Sequence, residues 1–322
     1  MTVERLSRQG VALLSVDYRL LAPSTGHEIL QDIQDIFSYI RNDLNPALSG
    51  AGGDPGLRID TGAIAVAGSS AGGLCAYLCA MHVSPKPRAL LSVYGQAGEC
   101  LVSGLSVPGC NHVSIFHRMQ NDNFLEPKRK PWIPGRGLVD PSDFTEFIFP
   151  QSASLPITAE SPLEYYPPTH ATPGLPATKR MYLTRLYYQL GQWLDYYTGD
   201  HTLSERLRQL RSSPPSGPES PSTIDLTKAR EVIGEKNIGL FPQFGVTGNW
   251  PRTLFVHGSK DAQVKLDESK HLAEKLKANG VESELIMVDG QGHTFDYAPN
   301  AEGKFGKLFD RATKFLVQSL QK

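Results

Sequence analysis

Apolar residues in this chain follow two rhythms that alternate near both ends and fade in the middle. Val11–Val16 is a short apolar run with β-branched residues at its ends, closed by Asp17, and it predicts a buried strand. Pro23-Ser24-Thr25-Gly26 is a turn cluster. After it, Ile29, Ile33, Ile36, Phe37, Ile40 and Leu44 fall at helical spacing. Gly50–Gly56 reads as a loop, Ala63–Ala67 as a second strand, the stretch beginning near Ser70 as a helix, and Ala89–Tyr94 as a third strand. Strand, helix, strand, helix, strand predicts a mostly parallel sheet with helices on both faces.

From about Gly95 to Asn249 that rhythm stops. Prolines and aromatics abound there, and one helix is predicted with Leu183, Leu186, Leu190, Trp193, Leu194 and Tyr197 on one side. "SSPPSGPESPS", from Ser212 to Ser222, has the composition of a linker. "EPKRKPW" is basic but lies among prolines, as a solvated loop would. The βα rhythm then returns: a strand at Thr253–Val256, a helix at Leu266–Ala278 stopped by Asn279-Gly280, a strand at Ser283–Val288 and a closing amphipathic helix at Gly303–Leu320. The organisation expected is one sheet domain in two parts, residues 1–95 and 250–322, separated by a cap-like insertion, 96–249. No internal repeat is evident.

Composition narrows the function classes. The 322 residues are 40% hydrophobic, enough for one large core or two modest ones. A formal net charge of −1 gives no global basic face, so nucleic acid is not an expected partner. No apolar stretch approaches the roughly 20 residues of a membrane span. The apolar run near the N-terminus is too short for a signal peptide. A cytoplasmic protein with reduced thiols is the expectation. Cys75, Cys79, Cys100 and Cys110 show no C-x-x-C spacing. Cys75, Cys79 and His82 share one helical stripe, for which small packing residues, not metal ligands, are expected. No metal or cofactor is implied, and the sequence does not set an oligomeric state.

The candidate chemistry lies in "IAVAGSSAGGLCAYLCAM", Ile64 to Met81. A serine hydroxyl is a poor nucleophile unless a base removes its proton and the chain presents it to substrate. Gly68-Ser69-Ser70-Ala71-Gly72 fits a G-x-S-x-G turn between a strand and a helix, with the glycines allowing the two to approach closely. The helix N-terminus adds N–H groups and a favourable dipole beside Ser70. A Gly-rich turn without chemistry, or one that cradles a phosphate, is the alternative reading of the same residues. Asp261, just past a strand in "LFVHGSKDAQV", and His293, in the turn "DGQGHTFDY", follow in the order Ser, acid, His. Both sit at strand C-terminal ends, where open α/β sheets build sites. His257 competes with His293, but its place within a strand end suits a backbone hydrogen bond. Asp289 and Asp296 are too close to His293 in sequence to be the favoured acid.

"SVDYRLLAPS", "GSSAGG", "HGSKD" and "GHTF" resemble the α/β-hydrolases, especially the hormone-sensitive-lipase-like (α/β-hydrolase fold-3) esterases, over about 11–95 and 250–320. The resemblance implies an α/β-hydrolase fold with Ser70 as nucleophile, Asp261 as acid and His293 as base. It makes the Ala71 N–H one oxyanion donor. Ser69 stands where the family carries aspartate, and Ser24 where it often has glutamate. The C-terminal part also resembles the prolyl-oligopeptidase-like branch, so a serine peptidase is a second expectation. The family's HGGG-type loop and the strand bearing it have no counterpart here. The resemblance therefore implies missing N-terminal strands and no assigned second oxyanion donor, which leaves three readings: a shortened form of a longer enzyme, a natural short form that pairs its strands differently, or a non-catalytic member. The expected function is a serine hydrolase acting on a small apolar carboxylic ester, with Tyr187, Tyr188, Trp193 and Phe241 suggested as an apolar pocket, although for any single one of them ordinary cap core is the favoured reading. A non-catalytic protein of the same fold, binding a small apolar ligand or a protein partner, is the rival.

Overall fold

The computed structural model describes residues 3–50, 56–97, 137–161, 164–171, 176–210 and 225–321. The basic "EPKRKPW" stretch and the Ser212–Ser222 linker lie outside the described residues, as do Cys100 and Cys110. In chain order the helices and strands are α1 (Val3–Ser7), α2 (Gly26–Asn42), α3 (Leu44–Gly50), β1 (Ala65–Ser69), α4 (Ala71–His82), β2 (Ala89–Val93), α5 (Leu183–Leu190), α6 (Trp193–Thr198), α7 (Leu203–Gln209), α8 (Leu226–Ile238), α9 (Pro242–Gly245), β3 (Arg252–Gly258), α10 (Leu266–Ala278), β4 (Ser283–Val288) and α11 (Ala301–Leu320). Two compact units result. One holds Met1–Val16, Leu30–Glu99 and Phe241–Lys322; the other holds Asp17–Ile29 and Cys100–Leu240.

The first unit is built on a four-stranded, all-parallel sheet in the order β1-β2-β3-β4. Strand side chains alternate between faces, and each set finds its own helices. Leu90, Phe255 and Leu285 pack with Ala76 and Tyr77 of α4 and with Leu272 and Leu276 of α10. Ala89, Leu91, Leu254 and Val256 pack on the other face with Leu6 of α1 and Leu316 of α11. A sheet covered on both faces is what a near-continuous apolar strand such as "ALLSV" requires. The α/β architecture, a parallel sheet with helices on both faces, agrees with the sequence-based expectation.

The N-terminal strand does not form. Residues 11–20 make no ladder, and Leu13, Leu14 and Val16 are exposed. Only Val11 packs against the core, with its N–H donating to Leu6 O at 3.1 Å. Strand geometry needs a partner's hydrogen bonds, and among the described residues β1 pairs only with β2. The apolar run is therefore extended chain outside the sheet.

The second unit has an aromatic core. The rings of Tyr187 and Tyr196 stack at 3.7 Å and those of Trp193 and Tyr197 at 4.7 Å. Asp195, itself buried, accepts the Ser204 N–H at 2.6 Å. The single helix expected through Leu183–Tyr197 is two helices. Gly191 adopts φ +66° and returns its N–H to the α5 carbonyls, an end that glycine favours because it has no Cβ to clash. Residues 17–29 belong to this unit through concrete ties. Leu20 N–H donates to Thr158 O at 2.9 Å, Arg180 donates to Ala22 O at 3.0 Å, and His27 Nε2 meets Asn237 Oδ1 at 2.9 Å. Tyr187, Tyr188 and Trp193 are buried within this core, and Phe241 is buried in the first unit. None of the four therefore presents its ring as an open apolar wall, because core packing already uses those faces. No helix among the described residues is long and apolar enough to cross a membrane.

Candidate active site

Ser70 sits between β1 and α4 at φ 50°, ψ −122°. Such a backbone costs a non-glycine residue about 1–3 kcal/mol and persists only where its surroundings enforce it. Here they do. Ser70 N–H donates to Val93 O at 3.1 Å, while Ser70 O accepts from Gly73 N at 2.9 Å and Gln96 N at 2.8 Å. The glycines divide their work unevenly. A Cβ on Gly68 would lie 2.0 Å from Gly72 O, and one on Gly73 would lie 2.3 Å from Gly95 Cα. A Cβ on Gly72 would meet nothing within 4 Å. Close approach thus depends on Gly68 and Gly73, whereas the motif singles out Gly68 and Gly72.

The loops after β3 and β4 are strapped together. Ser259 N–H donates to Val288 O at 3.0 Å and Lys260 N–H to Gln291 O at 2.8 Å. A Cβ on Gly258 would lie 2.4 Å from Gln291 O, so only glycine permits this approach. The strapping brings two of the sequence candidates together. His293 Nδ1 lies 2.7 Å from Asp261 Oδ2, and His293 Nε2 lies 3.0 Å from Ser70 Oγ. A carboxylate can only accept, so Nδ1 carries the proton and the Nε2 lone pair faces the serine hydroxyl. This arrangement can take the Ser70 proton as Oγ forms a bond.

Asp261 is buried and fully engaged. Its Oδ1 accepts from Gln263 N at 2.9 Å and Val264 N at 3.0 Å. Burial opposes its charge, but hydrogen bonds from His257 and His293 outweigh that cost and hold its carboxyl down to about 2. Ala71 N–H is the first amide of α4, where the helix itself offers no carbonyl to accept it. The competing candidates have other work. His257 contacts Val264 O and Ser269 Oγ, Asp289 accepts from Ser259 Oγ at 3.1 Å, and Asp296 accepts from Tyr94 Oη at 2.5 Å.

Tyr94 was not singled out by its sequence. It follows β2 at φ +41°, and its ring lies 4.6 Å from the His293 ring, tilted by 55°. Burial and the neighbouring Asp296 carboxylate push its hydroxyl well above the ordinary phenol range, so it stays a donor. An aromatic at the C-terminal end of a predicted strand, followed by glycine, is the signal that could have flagged it. Of the Cys75–Cys79–His82 stripe, Cys79 is buried, and burial pushes its thiol up to about 12, while Cys75 and His82 are partly exposed. Among the described residues no cluster of three or more His, Cys, Asp or Glu could hold a metal ion.

Residues 236–322 match the model of the Prolyl oligopeptidase family. Two non-reducing polyketide synthases of Penicillium brasilianum, ausA and prhL, are 40% identical over 48 residues, which is 15% of this chain and 2% of each of theirs. Among solved structures, an acetyl ester-xyloside bifunctional hydrolase from Caldicellulosiruptor lactoaceticus is 15% identical with a TM-score of 0.46, over 99% of this chain and 74% of that one. Carboxyl esterase 2 from Tuber melanosporum is 14% identical with a TM-score of 0.46, over 97% and 70%. A Pyrobaculum calidifontis esterase is 16% identical with a TM-score of 0.44, over 98% and 68%. The flanked parallel sheet and the match of its C-terminal part agree with the α/β-hydrolase resemblance in the sequence.

Proposed function

We propose that the protein is a serine hydrolase acting on carboxylic esters, with Ser70 as nucleophile, His293 as base and Asp261 as the acid that orients it. The observation that carries this reading is the continuous hydrogen-bonded line Ser70 Oγ, His293 Nε2, His293 Nδ1, Asp261 Oδ2, at 3.0 and 2.7 Å. In the proposed reaction Ser70 Oγ attacks the acyl carbon while its proton passes to His293 Nε2. The imidazolium so formed is stabilised by the Asp261 carboxylate. The Ala71 N–H donates to the developing oxyanion. Collapse of the tetrahedral intermediate expels the alcohol, which takes the proton from Nε2 and leaves an acyl-serine. Water then attacks the acyl carbon, gives its proton to the same nitrogen, and releases the acid with Ser70 restored. The proposal extends to a small apolar acyl ester as substrate, a cytoplasmic location, and a substrate-selecting role for the insertion as a cap.

The Prolyl oligopeptidase match of residues 236–322 favours one further reading, a serine peptidase using the same three residues. Hydrolysis of p-nitrophenyl butyrate measured against a prolyl p-nitroanilide peptide separates the two. The ester reading requires turnover of the butyrate that Ser70→Ala abolishes. Turnover of the anilide alone would favour the peptidase, and full butyrate activity in Ser70→Ala would overturn both.

A further inference from the structure

Asp261 stands between two imidazoles, and the proposed reaction uses only one. The other belongs to His257, next to last in β3 and completely buried. Its Nε2 lies 3.0 Å from Val264 O and 3.4 Å from Asp261 Oδ2. Its Nδ1 lies 2.8 Å from Ser269 Oγ on α10. A carbonyl oxygen only accepts, so Nε2 carries the proton, and in a neutral ring the Nδ1 lone pair then accepts the Ser269 hydroxyl. The Nε2–H is thereby held between the Val264 carbonyl and Oδ2, the same oxygen that accepts His293 Nδ1–H. Ser269 is itself fully buried. A helix serine ordinarily turns its hydroxyl back to its own helix carbonyl, whereas this one serves the imidazole.

Oδ1 is tied down by two backbone amides at 2.9 and 3.0 Å. What remains free is the position of Oδ2, which sets the direction of the bond to His293. Two N–H groups define that position better than one. We propose that His257, its tautomer fixed by Ser269, is a positioning residue that holds Asp261 Oδ2 in line with His293 Nδ1. The inference rests on the reading of Ser70, His293 and Asp261 as one catalytic line.

The test compares two side chains that each keep half of the imidazole. His257→Asn puts an acceptor near the Nδ1 position and keeps the Ser269 contact, but it has nothing at Nε2. His257→Gln reaches the Nε2 position with an amide N–H. Displacing a catalytic group by about 1 Å can cost about 10²-fold. His257→Asn should therefore lower kcat for p-nitrophenyl butyrate by about 10- to 100-fold with KM nearly unchanged, and His257→Gln should recover most of the loss. A second readout needs no turnover: the downfield proton resonance of His293 Nδ1–H, assigned by its loss in Asp261→Asn. It should weaken or move upfield in His257→Asn and in Ser269→Ala, and persist in His257→Gln. Equal losses of kcat in the Asn and Gln variants would assign His257 a purely structural role and overturn the proposal. So would an unchanged resonance in Ser269→Ala, a variant that keeps the test open if His257→Asn does not fold. Full activity in Ser70→Ala would instead refute the catalytic line itself, whatever the His257 variants do.

Discussion

Gly68→Ala is the substitution for which the structure gives the clearest magnitude. The added methyl would sit 2.0 Å from Gly72 O, 2.4 Å from Gly72 C and 2.8 Å from Gly73 N, all of them backbone atoms. Cβ atoms essentially never come within 3.0 Å of such neighbours, so strand end and helix start must part by at least 1.0 Å, the difference between 3.0 and 2.0 Å. No side chain can rotate away to absorb this. Overpacking of that kind costs about 1–3 kcal/mol, which for a chain of this size is a fall in Tm of about 2–10 °C. The same movement carries Ser70, two residues on, away from His293 Nε2, and a shift of this size predicts a loss of about 10²-fold in kcat/KM. Gly72→Ala is the control. Its methyl meets nothing within 4 Å and lies in α4, so Tm should hold or rise, by up to about 1 kcal/mol in stability. The assays are p-nitrophenyl butyrate hydrolysis and differential scanning calorimetry. A Gly68→Ala protein with wild-type melting and kcat/KM within about threefold would refute the account of the turn.

Ser70→Ala, His293→Ala and Asp261→Asn should each lower kcat by roughly 10³-fold or more, and the double and triple variants should lose little beyond the worst single one; steady-state kinetics on the combined variants checks this. Asp261 titrates near 2 in the folded protein against an ordinary 3.8, so its contribution is present above about pH 4 and is lost as pH falls through 2. That contribution is about 2 kcal/mol, and urea unfolding at stepwise lower pH should show the stability gap between wild type and Asp261→Asn closing through that window. Asp195 is shifted the other way, raised chiefly by burial, so the folded state holds its proton more tightly than the unfolded chain and stability declines as pH rises through that raised value. Asp195→Asn keeps an acceptor for the Ser204 N–H without the buried charge, and it should raise Tm more at pH 8 than at pH 4.

Much of the first unit was legible because buried strands and amphipathic helices carry their own periodicities. "ALLSV", "TLFVHG" and "SELIMV" became β2, β3 and β4 within a residue or two of expectation, and α10 spans the predicted Leu266–Ala278. Val11–Val16 misled because an apolar run states a preference for burial and not the presence of a neighbouring strand to pair with. Leu183–Tyr197 misled because its stripe of apolar residues continues through Gly191, whose left-handed conformation ends α5 whatever the stripe implies. At the site, chain order and placement at strand ends singled out Ser70, Asp261 and His293, which the structure brings within hydrogen-bonding distance of one another in sequence Ser, His, Asp. Tyr94 carried only the faint signal of an aromatic closing a predicted strand before glycine, because its approach to His293 depends on which loops are strapped side by side. That is decided by backbone contacts such as Lys260 N to Gln291 O, far apart in sequence. The distinction between Gly72 and Gly73 was hidden for the same reason: Gly73 is needed by Gly95, a partner on another strand end.

The central claim is that Ser70 is an activated nucleophile, and covalent labelling tests it most directly. The folded protein is treated with a fluorophosphonate, and the modified peptide is identified by mass spectrometry. The account predicts a single adduct on Ser70, absent from Ser70→Ala and formed far more slowly in His293→Ala, because only deprotonation by Nε2 makes the hydroxyl reactive. An adduct on another residue, no adduct on a cooperatively melting protein, or labelling of Ser70 at the same rate in His293→Ala would contradict it.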